Sequence, residues 1–314
     1  MAAKQGRGTT IGVGLESTWG TAVARSNWTR VTGVTLDVQK ESQDFQHLHQ
    51  GVDGAALGSA IVGFNASGNV TGHLGYGQIG FFLLAAIGSV TEVTGTPNTH
   101  TYEGTLALPS LTLEKVYGNS TESRVFEGCK VGSFTVNYGT GEIATWEAAI
   151  VAETASALSS AGSPSYTDPA LVAQGNTAVT VTWTSQTIAE VKRMTITIDN
   201  QLEVDKSLAS PLIVEPLSQG KMVTCAMTVR YKASSYNPIA DALADTISDL
   251  VINFDRSSST DNLKFTLRNA KVQAGTPITT AGVIEQTLTF TAYADGSDSA
   301  ISVEMKNGNA DHET

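Results

Sequence analysis

The residues to weigh first for chemistry are the five histidines, His47, His49, His73, His100 and His312. His47 and His49 alternate as on a strand or extended loop, yet no Cys, Asp or Glu stands beside them at a recognised metal-ligand spacing. Gly12-Val13-Gly14 lacks the third glycine and the following helix of a dinucleotide fingerprint, and no phosphate-binding loop motif occurs. There is no Gly-x-Ser-x-Gly elbow, and a Ser-His-Asp triad has no positive sign. Glu142 with Glu147, or Asp199 with Glu203, has the residue types of a glycosidase pair, but carboxylates on a polar strand face are ordinarily just solvated. Aromatic residues make up 7% and form no cluster on which a sugar would stack. The sequons Asn27-Trp28-Thr29 and Asn119-Ser120-Thr121 read as chance matches in a Thr-rich chain without a secretory signal. The residue types thus imply no catalytic centre, no metal and no cofactor.

Composition bounds the rest. The chain has 314 residues, 41% of them hydrophobic, enough for one large or two medium domains. Its longest apolar run, Ile79 to Ile87, falls far short of the ~20 residues that cross a bilayer, and its opening residues contain no signal-peptide core. No membrane insertion is expected. Cys129 and Cys225 form no disulfide framework and read as small buried hydrophobes made in a reducing cytoplasm. The net charge of -11 repels polyanions, although a path along which DNA must slide tolerates that sign.

The elements that would position these residues are strands. Val/Ile/Thr runs between turn signals mark a mainly β protein. Val34, Leu36 and Val38 alternate with Thr35, Asp37, Gln39 and Glu41; Met194, Ile196 and Ile198 alternate with Thr197, Asp199, Gln201 and Glu203. Asn65, Ser67, Asn69 and Thr71 oppose Phe64, Ala66 and Val70, and Thr224 and Thr228 oppose Val223, Cys225, Met227 and Val229. Ser133, Thr135 and Asn137, then Thr145 and Glu147, complete a four-stranded set whose polar face is mostly Thr, Ser and Asn. One short helix is expected in each half, at Gly77 to Ile87 and after the Asn237-Pro238 cap. Lys40 to Ser59 and Asp205 to Gly220 read as long contact loops.

The two halves echo each other. Cys129-Lys130-Val131 and Gly141 are answered by Ala270-Lys271-Val272 and Gly282, and Val34 to Val38 by Met194 to Ile198. Leu111-Thr112-Leu113 is matched to Leu250-Val251-Ile252, and Thr145-Trp146-Glu147 to Thr287-Leu288-Thr289. A unit spelled twice is built to stack or pair with copies of itself. The resulting division is an N-terminal arm over 1–30, a first β-sandwich over 31–155, a linker over 156–176, a second sandwich over 177–296 and a C-terminal tail over 297–314.

Gly12-Val13-Gly14-Leu15-Glu16-Ser17-Thr18-Trp19-Gly20-Thr21-Ala22 resembles the start of a large family of tail tube proteins of long, non-contractile-tailed bacteriophages. The likeness continues through Leu108-Pro109-Ser110-Leu111-Thr112-Leu113-Glu114, Gly128-Cys129-Lys130-Val131, Ser163-Pro164-Ser165-Tyr166, Thr197-Ile198-Asp199-Asn200 and Glu215-Pro216-Leu217. The resemblance implies a structural virion protein that polymerises into stacked rings. In such a tube each sandwich lends a four-stranded inner sheet, and six sandwiches close a continuous barrel. The family usually has one sandwich per subunit. Two in this chain imply a homotrimeric, pseudo-hexameric ring.

Twenty-four strands at ~4.8 Å spacing and a tilt near 40° give a barrel roughly 45 to 50 Å across, wide enough for a duplex. The lumen would be lined by Asp37, Gln39, Glu41, Asn65, Ser67, Asn69, Thr71, Thr135, Asn137, Thr145, Glu147, Thr197, Asp199, Gln201, Glu203, Thr224, Thr228, Thr287 and Thr289. Arg230 departs from this pattern, and a neighbouring acid is expected to neutralise it. Gln43, Asp44, Phe45, His47, His49, Asp53, Leu208, Leu212, Ile213 and Glu215 would contact the neighbouring ring. The implied partners are further copies, a tape measure protein in the lumen, tail terminator and distal tail proteins at the ends, and double-stranded DNA in transit. The residues alone also leave open a monomeric β-sandwich binding or adhesion module and, less readily, a β-rich hydrolase.

Overall fold

Alternation of buried and exposed side chains along the strands sets the architecture. The computed structural model describes residues 8–45, 58–77, 79–118, 122–163, 170–188, 190–230, 239–256, 259–274 and 284–308. The principal strands of the first half are β1 (Thr10–Leu15), β2 (Asn27–Arg30), β3 (Asp37–Phe45) and β4 (Gly58–His73), then β5 (Gly88–Val93), β6 (Asn98–Gly104), β7 (Leu111–Val116), β8 (Glu122–Gly139) and β9 (Thr145–Ala152). Those of the second half are β10 (Thr177–Trp183), β11 (Val191–Asp199), β12 (Met222–Arg230), β13 (Ile247–Arg256), β14 (Asn262–Ala274), β15 (Glu285–Ala292) and β16 (Ile301–Asn307). Helices α1 (Gly80–Ile87) and α2 (Ile239–Leu243) stand one in each half.

One layer is a run of eight antiparallel strands in the order β3, β4, β9, β8, β11, β12, β15, β14. The first four come from the first half and the last four from the second, and the β8–β11 ladder joins them. The facing layer pairs β2, β1, β7 and the start of β8 in the first half. In the second half it pairs β10, β13, β14, β16, β6 and β5. Hairpin β5–β6 therefore crosses from the first half to extend the second half's layer, held also by Arg268 to Glu103 at 2.8 Å.

Strands β8 and β14 serve both layers, and each turns at a residue with positive φ. In β8 it is Gly128, at φ 63°, where a Cβ would meet the Trp19 indole at 2.9 Å. In β14 it is Asn269, at φ 47°, a conformation asparagine tolerates better than most residues. Between the layers the core stacks Trp146 on Phe134 and Phe82 in the first half, and Trp183 edge-on to Phe290 in the second. Burying such aromatics contributes on the order of 3 kcal/mol each.

The pairing registers repeat between the halves. Val34 faces Val70 and Val38 faces Ala66; in the second half Met194 faces Met227 and Ile198 faces Val223. Ile150 faces Val131 as Phe290 faces Val272. This matches Thr145-Trp146-Glu147 to Glu285-Gln286-Thr287, two residues earlier than the echo read from sequence. Leu111, opposite Cys129, likewise matches Ser248, opposite Ala270, and not Leu250. A slip of two leaves every side chain on its own face, so apolar spacing alone could not detect it.

Other expectations shift with this topology. The stretch read as an arm supplies β1 and β2, and the stretch read as a tail supplies β16, each paired inside the outer layer. Of Lys40 to Ser59, Lys40 to Phe45 belong to β3 and Gly58 and Ser59 to β4, and 46–57 lie outside the described residues. Within the stretch read as a linker, Val172 is buried and hydrogen-bonded between Leu74 and Ala144. The Asn237-Pro238 cap lies outside the described residues. No helix is long and apolar enough to cross a membrane among the described residues.

Candidate functional site: the polar face of the eight-stranded sheet

The face of the eight-stranded layer turned away from the core is a carpet of hydroxyls and amides. Ladder partners carry Thr71, Glu147, Thr135, Thr197, Thr224 and Thr291 side by side across six strands. A second row runs His73, Thr145, Asn137, Thr195, Ala226 and Thr289, with Thr195 Oγ1 bonded to Asn137 Oδ1 at 2.8 Å. Asn65, Ser67, Asn69, Asp199, Thr228 and Thr287 share the face. Thr is well suited here, since its β-branch favours the strand while its hydroxyl stays hydrated.

Charges on this face are paired or few. The Asn69 amide donates to Glu147, and Arg230 lies 3.2 Å from Glu190, the neutralising acid expected for it. Arg193 reaches Glu142 at 3.7 Å. Arg193, Thr195, Glu285 and Thr291 were missed in the sequence reading, although each continues an alternation already recognised there. Asp37 faces Ser67 across the ladder, but its carboxylate is drawn to Arg124 of the other layer at 2.7 Å. Gln39 stands opposite Asn65. Glu41 accepts from Lys206.

Gln201 and Glu203 depart from the face. Asn200 is fully buried and donates from Nδ2 to the carbonyls of Val131 and Ala86, both at 2.9 Å, which ends the alternation of β11. Gln201 then turns with φ 45°, and Glu203 enters a short hairpin where Gln219 donates to it. Neither carboxylate pair weighed for glycoside hydrolysis is thus held together on the face: Glu142 sits in the β8–β9 turn beside Arg193, and Glu203 in that hairpin.

The two inserted segments behave differently. In the Asp205–Gly220 segment Ile213 is buried, Glu215 pairs with Lys130 at 2.7 Å, and Phe64 N donates to Pro211 O at 3.1 Å. This segment lies across the first half of its own chain, so Ile213 and Glu215 are spent internally while Leu208 is fully exposed. Gln43, Asp44 and Phe45 stand on β3, exposed with Ile61 and Val62 of β4. His47, His49 and Asp53 lie outside the described residues.

Of the remaining titratable groups, His100 is buried against Glu92 at 2.7 Å. Burial pushes the Cys225 thiol up to about 12 and raises that of Cys129 as well, so both are poor nucleophiles. Among the described residues no three His, Cys, Asp or Glu side chains converge on a metal position. The face can hydrate a surface and present paired charges; it offers no concentrated cation for phosphate.

Among curated proteins the comparison finds no match. A family model described as phage tail tube protein matches residues 6–292, nearly the whole chain. The chain belongs to the phage tail tube protein family, a family of structural components of the virion tail.

Proposed function

We propose that the chain is a subunit of a siphophage tail tube, with its two halves occupying two of six equivalent positions in each ring. The observation that carries this reading is the β8–β11 ladder. It joins the last strand of one four-stranded sheet to the first strand of another that has the same pairing register. Repeating that junction from the end of β14 of one copy to the Gly33–Gln39 edge of the next leaves the eight-stranded layer without an unpaired edge when three copies close a ring. The polar face then becomes the lumen. It holds a tape measure protein during assembly and later conducts double-stranded DNA toward the host, giving phosphates no cationic hold. The exposed strand residues Phe45 of β3 and Ile61 and Val62 of β4 contact the neighbouring ring. Tail terminator and distal tail proteins close the two ends. The protein is made in the host bacterial cytoplasm and acts as part of the virion, with no enzymatic role.

Negative-stain electron microscopy of the purified protein tests this. Open rings or tubes are expected. A persistent monomer, even with a tail-tip nucleus supplied, would return the chain to the class of β-sandwich binding modules.

A further inference from the structure

The two helices occupy corresponding places but differ in what covers them. All eight residues of α1 are buried. Its C-terminal carbonyls are capped from the second half: Asn200 Nδ2 donates to Ala86 O at 2.9 Å, and Lys221 Nζ to Ala86 O at 3.0 Å and to Ile87 O. The last residue of α2, Leu243, is instead 85% exposed, and Ile247 just beyond it is 56% exposed. The same asymmetry holds at the sheet edge. Met194 and Ile198 are buried at the junction, while their counterparts Val34 and Val38 are only partly buried.

Resting on the tube reading above, we infer that α2 is a docking seat for the first half of a second copy, with that copy's Lys40 closing the contact. Register fixes the residue. Asp199 faces Met222 as Gln39 faces Asn65, so Lys40 holds the place of Asn200. Asn200 N donates to Gly132 O, and Asn200 Nδ2 to Val131 O. Val131 is answered by Val272, but the bulge at Gly132 has no counterpart: Ser133 faces Ala149 as Gln273 faces Thr289, so Gln273 holds the place of Ser133, the residue that Asp199 faces at the junction. Gln39 of the arriving copy therefore faces Gln273, and Lys40, one residue on, lies near the end of α2. There its ammonium meets backbone carbonyls at a helix C-terminus, where a cation is favoured. The occupant is a second copy because this chain already contains the contact once, between its own halves.

The test is oxidative cross-linking of the full chain carrying both Gln39→Cys and Gln273→Cys. Within one copy these positions lie on opposite edges of the eight-stranded layer, roughly 30 Å apart at ~4.8 Å per strand, beyond the ~7 Å limit for a disulfide. A bond can thus form only between copies. Covalent dimers and trimers in more than half of the oxidised protein are expected, with each variant that carries only one introduced cysteine beside the buried Cys129 and Cys225 remaining monomeric on the gel. Rings seen by microscopy without cross-links would overturn the docking seat and leave the tube reading intact. Neither rings nor cross-links would overturn both. Leu243→Asp, a change at an exposed position, should leave the melting temperature unchanged and lower the assembled fraction at least tenfold; assembly at the wild-type level would also overturn the proposal.

Discussion

The two long insertions occupy the same place in the two halves and have opposite fates. Asp205–Gly220 folds back over the first half, burying Ile213 and placing Lys206 against Glu41. The β3–β4 hairpin projects with Phe45, Ile61 and Val62 in solvent. A two-stranded ribbon exposed on both faces is marginal alone, and in the proposed tube the neighbouring ring covers it. The contrast separates a segment held by its own chain from one that the proposed tube assigns to a neighbouring copy.

The sharpest way to break this contrast is to delete Gln43 to Ala56. Folded subunits with a native melting curve that no longer stack into tubes are expected; normal tube growth by this variant would remove the hairpin from the inter-ring role.

The internal contacts should behave as stability elements. Burial lowers Lys221 to about 8, whereas an unfolded lysine titrates near 10.4. Between those pH values the unfolded chain binds the extra proton, so unfolding free energy rises with pH by at most about 1.4 kcal/mol per unit. That contribution is complete above the unfolded value and lost as pH falls through 8. Lys221→Met should abolish this part of the rise, amounting to roughly 3 kcal/mol over the window, as read from urea titrations of both proteins at several pH values. An unchanged slope would show that Lys221 stays charged in the folded state.

Ile213→Ala should cost about 2 kcal/mol, the low end for a buried Ile because a surface segment can settle into the space. Leu208→Ser, in the same segment but fully exposed, should stay within about 0.5 kcal/mol. Chemical denaturation reads both, and equal effects would mean that the segment does not lie across the first half in solution.

What could be seen in the sequence follows from how locally each feature is encoded. Thr145–Ala152 alternates so cleanly, with Trp146, Ala148, Ile150 and Ala152 all buried, that its faces follow from spacing alone. Strand β1 could not be found this way: Thr10 through Gly14 are all buried, because β2 and the residues leading to it cover its outer face, so no alternation exists. Strand β16 does alternate, with Ile301, Val303 and Met305 buried. Its partners β14 and β6 are distant in the chain, and its position after the second unit made it look like a tail. Gln201 and Glu203 were placed on the polar face by simple continuation. The side-chain bonds of Asn200 that stop the strand are tertiary and leave no periodic trace. The fate of Asp205–Gly220 was hidden for the same reason, since its partners Lys130, Glu41 and Phe64 all lie in the other half.

In the proposed tube one chain fills two positions of a six-position ring. Native mass spectrometry of isolated rings, obtained at low concentration or from a hairpin-deleted variant, measures it directly. Three chains of 32.8 kDa per ring are expected; six chains per ring would contradict the reading of each chain as two ring positions.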